Sequence, residues 1–268
     1  MKKLICAVAI LFSSPFCTHT ANSTPPPDFV SNEGGIVLFT PPNGWRQADT
    51  SLLPPHIKLM VIGKGPSAFP PSMNLNVQSF SGTLKQYLKI VKDTNESQGF
   101  EWKDLGTLRT EAGNASLSQF DHKSQWGTIR MMQVILIKNG MVYILSASAL
   151  KDEFSLFYKD FFASMRSLRV SKTPIEMISS SQQKTQLRNA IQKMQVDWNA
   201  LLTQNHTKNN STSPEELKKQ TFQSQAFQKD SWIPFKEMLS QRFSTMGPDW
   251  QALLLENTES ELFESQIK

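Results

Sequence analysis

Met131-Met132-Gln133-Val134-Ile135-Leu136-Ile137 and, beyond Asn139-Gly140, Val142-Tyr143-Ile144-Leu145-Ser146-Ala147-Ser148-Ala149 decide the fold of this 268-residue chain. Both runs are short and almost uniformly apolar, the pattern of central strands covered on both faces. Asn139-Gly140 between them favours a tight hairpin, because both residues tolerate positive φ. A central hairpin needs strands beside it. Met73-Asn74-Leu75-Asn76-Val77-Gln78 alternates apolar and polar residues without a break, which is the period of a half-buried strand. Residues 36–39, 57–62 and 115–120 are further strand candidates by composition.

Two helices interrupt the strands. Leu84, Tyr87, Leu88 and Val91 form one apolar stripe at spacings of three and four. Phe154, Phe157, Tyr158, Phe161, Phe162, Met165 and Leu168 form a larger one, again with helical spacing. The order is strands, helix, a strand meander, then helix, so the expected class is α+β: an antiparallel sheet covered by helices. Eleven of the 12 glycines fall between Gly34 and Gly140, where they punctuate turns between strands.

From Lys172 onward the chain is rich in Gln, Ser, Leu and Lys with helical spacing, so a boundary is expected near Ser171 to Pro174. This all-α region carries a duplicated unit. Met194-Gln195-Val196-Asp197-Trp198-Asn199-Ala200-Leu201-Leu202-Thr203-Gln204-Asn205 recurs as Met246-Gly247-Pro248-Asp249-Trp250-Gln251-Ala252-Leu253-Leu254-Leu255-Glu256-Asn257, 52 residues later. At the same offset Lys184 pairs with Lys236, Leu187 with Leu239 and Ile191 with Phe243, giving units of about 183–205 and 235–257. Leu187, Ile191, Met194, Trp198 and Leu201 make a heptad stripe. In the second copy Gly247-Pro248 should end one helix and start another. Ser213-Pro214-Glu215-Glu216 reads as a capped helix start. The two copies are expected to pack their Trp and Leu residues, Trp198 and Trp250 among them, against each other as a small bundle; the sharper alternative leaves one stripe open to a partner helix, with both tryptophans as contacts. A core this thin calls for docking on the sheet or for homodimerisation.

Several of these residues resemble the PsbP/Mog-like fold family, which includes photosystem PsbP proteins, Mog proteins that bind the Ran GTPase, and bacterial envelope lipoproteins of the DcrB type. Phe39-Thr40-Pro41-Pro42-Asn43-Gly44-Trp45 is similar to the family's strand followed by Pro-x-Gly-Trp. Leu84-Lys85-Gln86-Tyr87-Leu88 is similar to its first helix, and Gly113-Asn114-Ala115 to the turn into a middle strand. Phe161 to Arg169, ending Met165-Arg166-Ser167-Leu168-Arg169, resembles its closing helix. The resemblance spans about residues 35–171. It implies an α/β/α sandwich and proteins that bind partners or assist assembly; the helical C-terminal region lies outside it, and fold alone does not set function.

The N-terminus carries an address. Basic Met1-Lys2-Lys3, the apolar run 4–12 and the small residues of Ala21-Asn22-Ser23 have the order of a secretory signal, with cleavage between Ser23 and Thr24. The run is too short to span a bilayer. The alternative is a lipoprotein signal ending at Cys17, although Phe16 is a poor residue before a lipidated cysteine. Residues 24–34, opening Thr24-Pro25-Pro26-Pro27, read as an extended stalk. The expected location is therefore the periplasm or outside the cell, or a lipid-anchored position at the membrane. Both cysteines, Cys6 and Cys17, precede the cleavage point. Without them a disulfide framework, a thiolate metal site and a cysteine nucleophile are all excluded.

The remaining motifs carry little chemistry. Gly63-Lys64-Gly65-Pro66-Ser67 lacks the spacing of a phosphate loop, and Pro66 removes a donor N–H. With Phe69-Pro70-Pro71 it reads as a stiff exposed loop, and Lys64, Pro66 and Phe69 are the candidate contacts to a protein partner. His56, His122 and His206 share no helix face, so neither a metal nor another cofactor is expected. Nucleic acid is not expected either, since the mature charge is a mild +3 with acids and bases interspersed. The expectation is a non-catalytic exported protein working through protein contacts. The alternatives are an envelope hydrolase with a site assembled around Asp121 and His122, and a secreted effector.

Overall fold

The computed structural model describes residues 29–32, 34–208 and 212–266. The cleavage point at Ser23 and Thr24, the lipidation candidate Cys17 and the start of the stalk lie outside these residues. Among the described residues, ten strands form two sheets. β1 (Phe29–Asn32), β2 (Gly35–Leu38) and β10 (Arg169–Ser171) make the small one, in the order β1-β2-β10. The large one comprises β3 (Arg46–Gln47), β4 (Ile57–Ile62), β5 (Ser72–Ser79), β6 (Glu101–Thr110), β7 (Gly113–Ser124), β8 (Gly127–Lys138) and β9 (Met141–Leu150). Its order is β3-β4-β5-β9-β8-β7-β6, and all of its pairings are antiparallel.

The β8–β9 hairpin is central, with Asn139 at φ 52 and Gly140 at φ 73 in its turn. On one side of the sheet Met73, Leu75, Val134, Tyr143, Leu145 and Ala147 pack under α2 (Phe154–Arg166), which contributes Phe154, Phe161 and Met165. On the other side Ile135, Val142 and Ile144 pack under Tyr87 and Val91 of α1 (Leu84–Ser97). The α/β/α sandwich follows directly: both faces of a strongly apolar hairpin must be covered. Thr83 starts α1 with a capping box, its hydroxyl accepting from the Gln86 N–H and Gln86 reaching back to the Thr83 N–H.

Three details differ from the sequence expectations. Phe29–Asn32, assigned above to the stalk, is a strand, with Phe29 opposite Leu38 and Val30 opposite Val37. The turn into β2 needs glycine, since a Cβ on Gly35 would lie 2.5 Å from the Ser171 carbonyl oxygen. β5 is more than half buried, because its polar side is covered as well: Asn74, Ser146, Gln133 and Ser118 sit side by side across four strands, all buried. Gln133 donates to Ser146 at 3.0 Å and Ser72 bonds Ser148 at 2.9 Å, which offsets part of the desolvation cost. β6 gave no periodic signal because it is an exposed edge strand, its register broken between Asp104 and Gly106, where the Asp104 carboxylate accepts from the Gly106 N–H.

The C-terminal helices are α3 (Ser181–Lys208), α4 (Pro214–Gln223), α5 (Gln225–Phe227), a π-turn (Gln228–Trp232), α6 (Ile233–Arg242) and α7 (Pro248–Glu264). The first repeat unit is one continuous stretch of α3. The second breaks at Gly247, whose φ of 80 only glycine adopts freely, and α7 starts on Pro248. In α3 the buried stripe runs Leu187, Ile191, Met194, Trp198 and then Leu202, with Leu201 half-buried. A straight helix drifts off a strict heptad, so the stripe moves on by four after the tryptophan.

Candidate functional site

The loop of residues 63–71 connects β4 to β5 and is braced on three sides. At its base the Gly63 N–H donates to the Pro71 carbonyl at 2.9 Å. Gly63 has no side chain because Trp45 lies over it: a Cβ there would be 2.5 Å from the indole. Trp45 in turn meets Phe157 and Phe161 of α2 edge-on, at 6.4 and 5.8 Å between ring centres. Midway along the loop the Ser67 hydroxyl donates to the Glu153 carboxylate at the start of α2. At the far end Phe69 packs on Trp126, 5.6 Å between centres. Lys64 and Pro66 are exposed between these braces, whereas Phe69 is half-buried.

Trp126 sits at the tip of the β7–β8 turn, 39% exposed, and sequence reasoning missed it. Its signal was available: a large aromatic beside Gly127, where β8 begins, has no core to enter. Phe69 and Trp126 thus form an aromatic pair at one end of a loop on which Lys64 and Pro66 are exposed. Large aromatics of this kind anchor protein interfaces.

Asp121 and His122 are not brought together. Successive residues of a strand point to opposite faces. Asp121 turns toward the α2 side, where Arg130 holds it through two hydrogen bonds of 2.9 Å and Lys151 contacts it at 2.9 Å. The Arg130 guanidinium, first among these, keeps the carboxyl at about 2, well below its ordinary 3.8. Arg130 also covers the Phe154 ring at 5.9 Å, so the cluster ties β7, β8 and the end of β9 to α2. His122 turns to the other face, beside Phe100 and Phe120 at 5.4 and 6.3 Å, and burial pushes its pKa down. A carboxylate fully engaged by two cations cannot orient that imidazole, so the arrangement proposed for hydrolysis is absent.

The two tryptophans are corrected as partner contacts. Trp198 and Trp250 are both fully buried. The Trp198 N–H donates to Ser265 at 3.0 Å, and the ring packs against Phe222, Phe227 and Phe263. The Trp250 N–H donates to the Pro174 carbonyl at 2.9 Å, beside Phe243. Large apolar groups on a helix stripe gain most by burial, and here the bundle supplies a polar partner for each indole N–H. Among the described residues no three His, Cys, Asp or Glu side chains gather as a metal ligand set, and no helix is long and apolar enough to cross a membrane.

No protein-family model and no curated protein matches the sequence. Among solved structures, the chain is similar to cyanobacterial PsbP from Synechocystis sp. PCC 6803, at 13% identity over 59% of this chain and 100% of that one, with a TM-score of 0.38. It is similar to LpqN of Mycobacterium tuberculosis, described as involved in cell envelope biogenesis, at 16% identity over 50% and 83%, TM-score 0.40. The Saccharomyces cerevisiae Ran-binding protein Mog1p matches at 16% identity over 55% and 96%, TM-score 0.37. PsbP and Mog proteins are two of the three groups named above with the short motifs.

Proposed function

We propose that this chain is an exported, non-catalytic protein of the bacterial periplasm or cell envelope that acts by holding a protein partner. The observation that carries the reading is the braced 63–71 loop. Its exposed Lys64 and Pro66 stand between fixed aromatic groups, Trp45 on one side and the Phe69–Trp126 pair on the other. A surface held in place before binding loses little ordering entropy when a partner docks. Export is supported by the order of residues 1–23, basic, apolar, then small.

The test combines fractionation with site-specific photo-cross-linking in intact bacteria expressing the full chain. A photoreactive residue replaces Lys64 in one strain and exposed Glu215, on α4, in another. The expected result is a processed chain in the osmotic-shock fraction and a discrete adduct from position 64 that position 215 does not give. Retention in the cytoplasm with residues 1–23 attached would overturn the export reading. The same adduct pattern from both positions would overturn the loop as the contact.

A further inference from the structure

Between α3 and the π-turn that leads into α6 lies a cavity of about 160 Å³. Its floor is apolar, built from Met194 of α3 and from Phe235 and Met238 of α6. Its rim is charged and reaches solvent: Lys193 and Asp230 are exposed, and Asp197 is half-buried. The π-turn forms one wall, a rare geometry that is frequently found at functional positions. Ser231, on that turn, donates to Asp197 at 3.0 Å and fixes the carboxylate at the mouth. Among the described residues neither Asp197 nor Asp230 forms an ion pair, and Lys193, one turn before Asp197, pairs with neither.

Size and charge together name the occupant. Pockets for cofactors and other sizeable small molecules run to about 300–1,000 Å³. A cavity near this one's volume holds a single group about the size of benzene. Two carboxylates against one ammonium leave the mouth negative, above a floor suited to methylenes and a flat face. We propose that this cavity is a binding site for one arginine or lysine side chain presented by a partner polypeptide. The stem lies on Met194, Phe235 and Met238, and the cation neutralises Asp197 and Asp230. Arginine suits the site better than lysine, because its guanidinium is planar and less strongly hydrated. The proposal rests on reading the chain as a binding protein but uses a surface separate from the 63–71 loop.

Methionine-methyl NMR of the full chain tests it, since Met194 and Met238 report from inside the cavity. The probes are a blocked heptapeptide with one arginine among alanines and leucines, and the same peptide with neutral citrulline in its place. The arginine peptide should shift both methyl signals saturably, and the citrulline peptide should bind at least tenfold more weakly. Asp230→Asn removes an exposed, unpaired carboxylate, so the fold is retained while arginine-peptide affinity falls several-fold; Lys193→Gln should raise it. Equal shifts from both peptides, or affinity unchanged in Asp230→Asn, would overturn the proposal. Methyl shifts that depend on protein concentration without peptide would overturn it in favour of a second copy of the chain. None of these readouts involves Lys64, so failure here and failure of the loop are told apart.

Discussion

Replacing Asp121 by asparagine keeps the shape of the side chain and removes its charge, and the structure says how the loss should depend on pH. The carboxylate is 8% exposed, bonded twice by Arg130 and contacted by Lys151, and titrates at about 2 instead of 3.8. At about 1.4 kcal/mol per tenfold change in proton affinity, that displacement corresponds to about 2 kcal/mol. Lys151 is 43% exposed, and solvent screening at that end brings the expected figure to about 1–2 kcal/mol. The folded-state pKa lies below the unfolded one, so the contribution is complete above about pH 4 and disappears as pH falls through about 2. Urea denaturation of both proteins, followed by tryptophan fluorescence at several pH values, measures the gap. Asp121→Asn should be less stable by that amount at pH 7, with the gap narrowing below about pH 4 and closing only below about pH 2. A gap of the same size at pH 7 and pH 2.5 would refute the reasoning, because it would come from packing and not from the ionised pair.

Two further perturbations test the bundle and the loop. Trp250→Ala should cost about 3–5 kcal/mol as a buried aromatic truncation, and Trp250→Phe about 1–3 kcal/mol, chiefly for the Pro174 carbonyl left without its N–H donor; denaturant midpoints rank the two, and a Trp250→Phe midpoint equal to that of the parent chain would show that the hydrogen bond contributes nothing. Gly63→Ala should displace Trp45, since the new methyl would sit 2.5 Å from the indole, at a cost of about 1–3 kcal/mol. Trp45→Phe in the same chain should recover part of that loss.

What the sequence disclosed was local in origin. The β8–β9 hairpin, the capped start of α4 and the break at Gly247-Pro248 each depend on residues a few positions apart, and the structure has them in place. Long-range arrangements were hidden. Asp121 was read beside its neighbour His122, yet its partners are Arg130 across the hairpin and Lys151 beyond the next strand. That register could have been counted from the turn between Ser124 and Gly127, which sets Asp121 opposite Arg130. The buried polar row Asn74, Ser146, Gln133 and Ser118 could not, because each residue alone looks like the solvent side of its strand. Trp198 and Trp250 illustrate a different limit: the repeat located both, but only packing decides whether an amphipathic stripe is core or open surface.

The strand β2 explains why the helical half cannot be treated as a detachable addition. Its side chains alternate, as a strand's must. Val37, with Phe39 just beyond the strand, enters the core under the large sheet, while Ile36 and Leu38 enter the core of the helical bundle. One extended segment therefore supplies both cores, and its two neighbours in the small sheet come from opposite ends of the α/β unit, β1 before it and β10 after it. The Trp250 N–H reinforces the junction by reaching the Pro174 carbonyl, just past β10. Removing the helices would expose Ile36 and Leu38, and removing the sheet would leave the bundle without part of its core. The braced loop on one unit and the cavity on the other thus sit on two units that share the strand β2 between their cores.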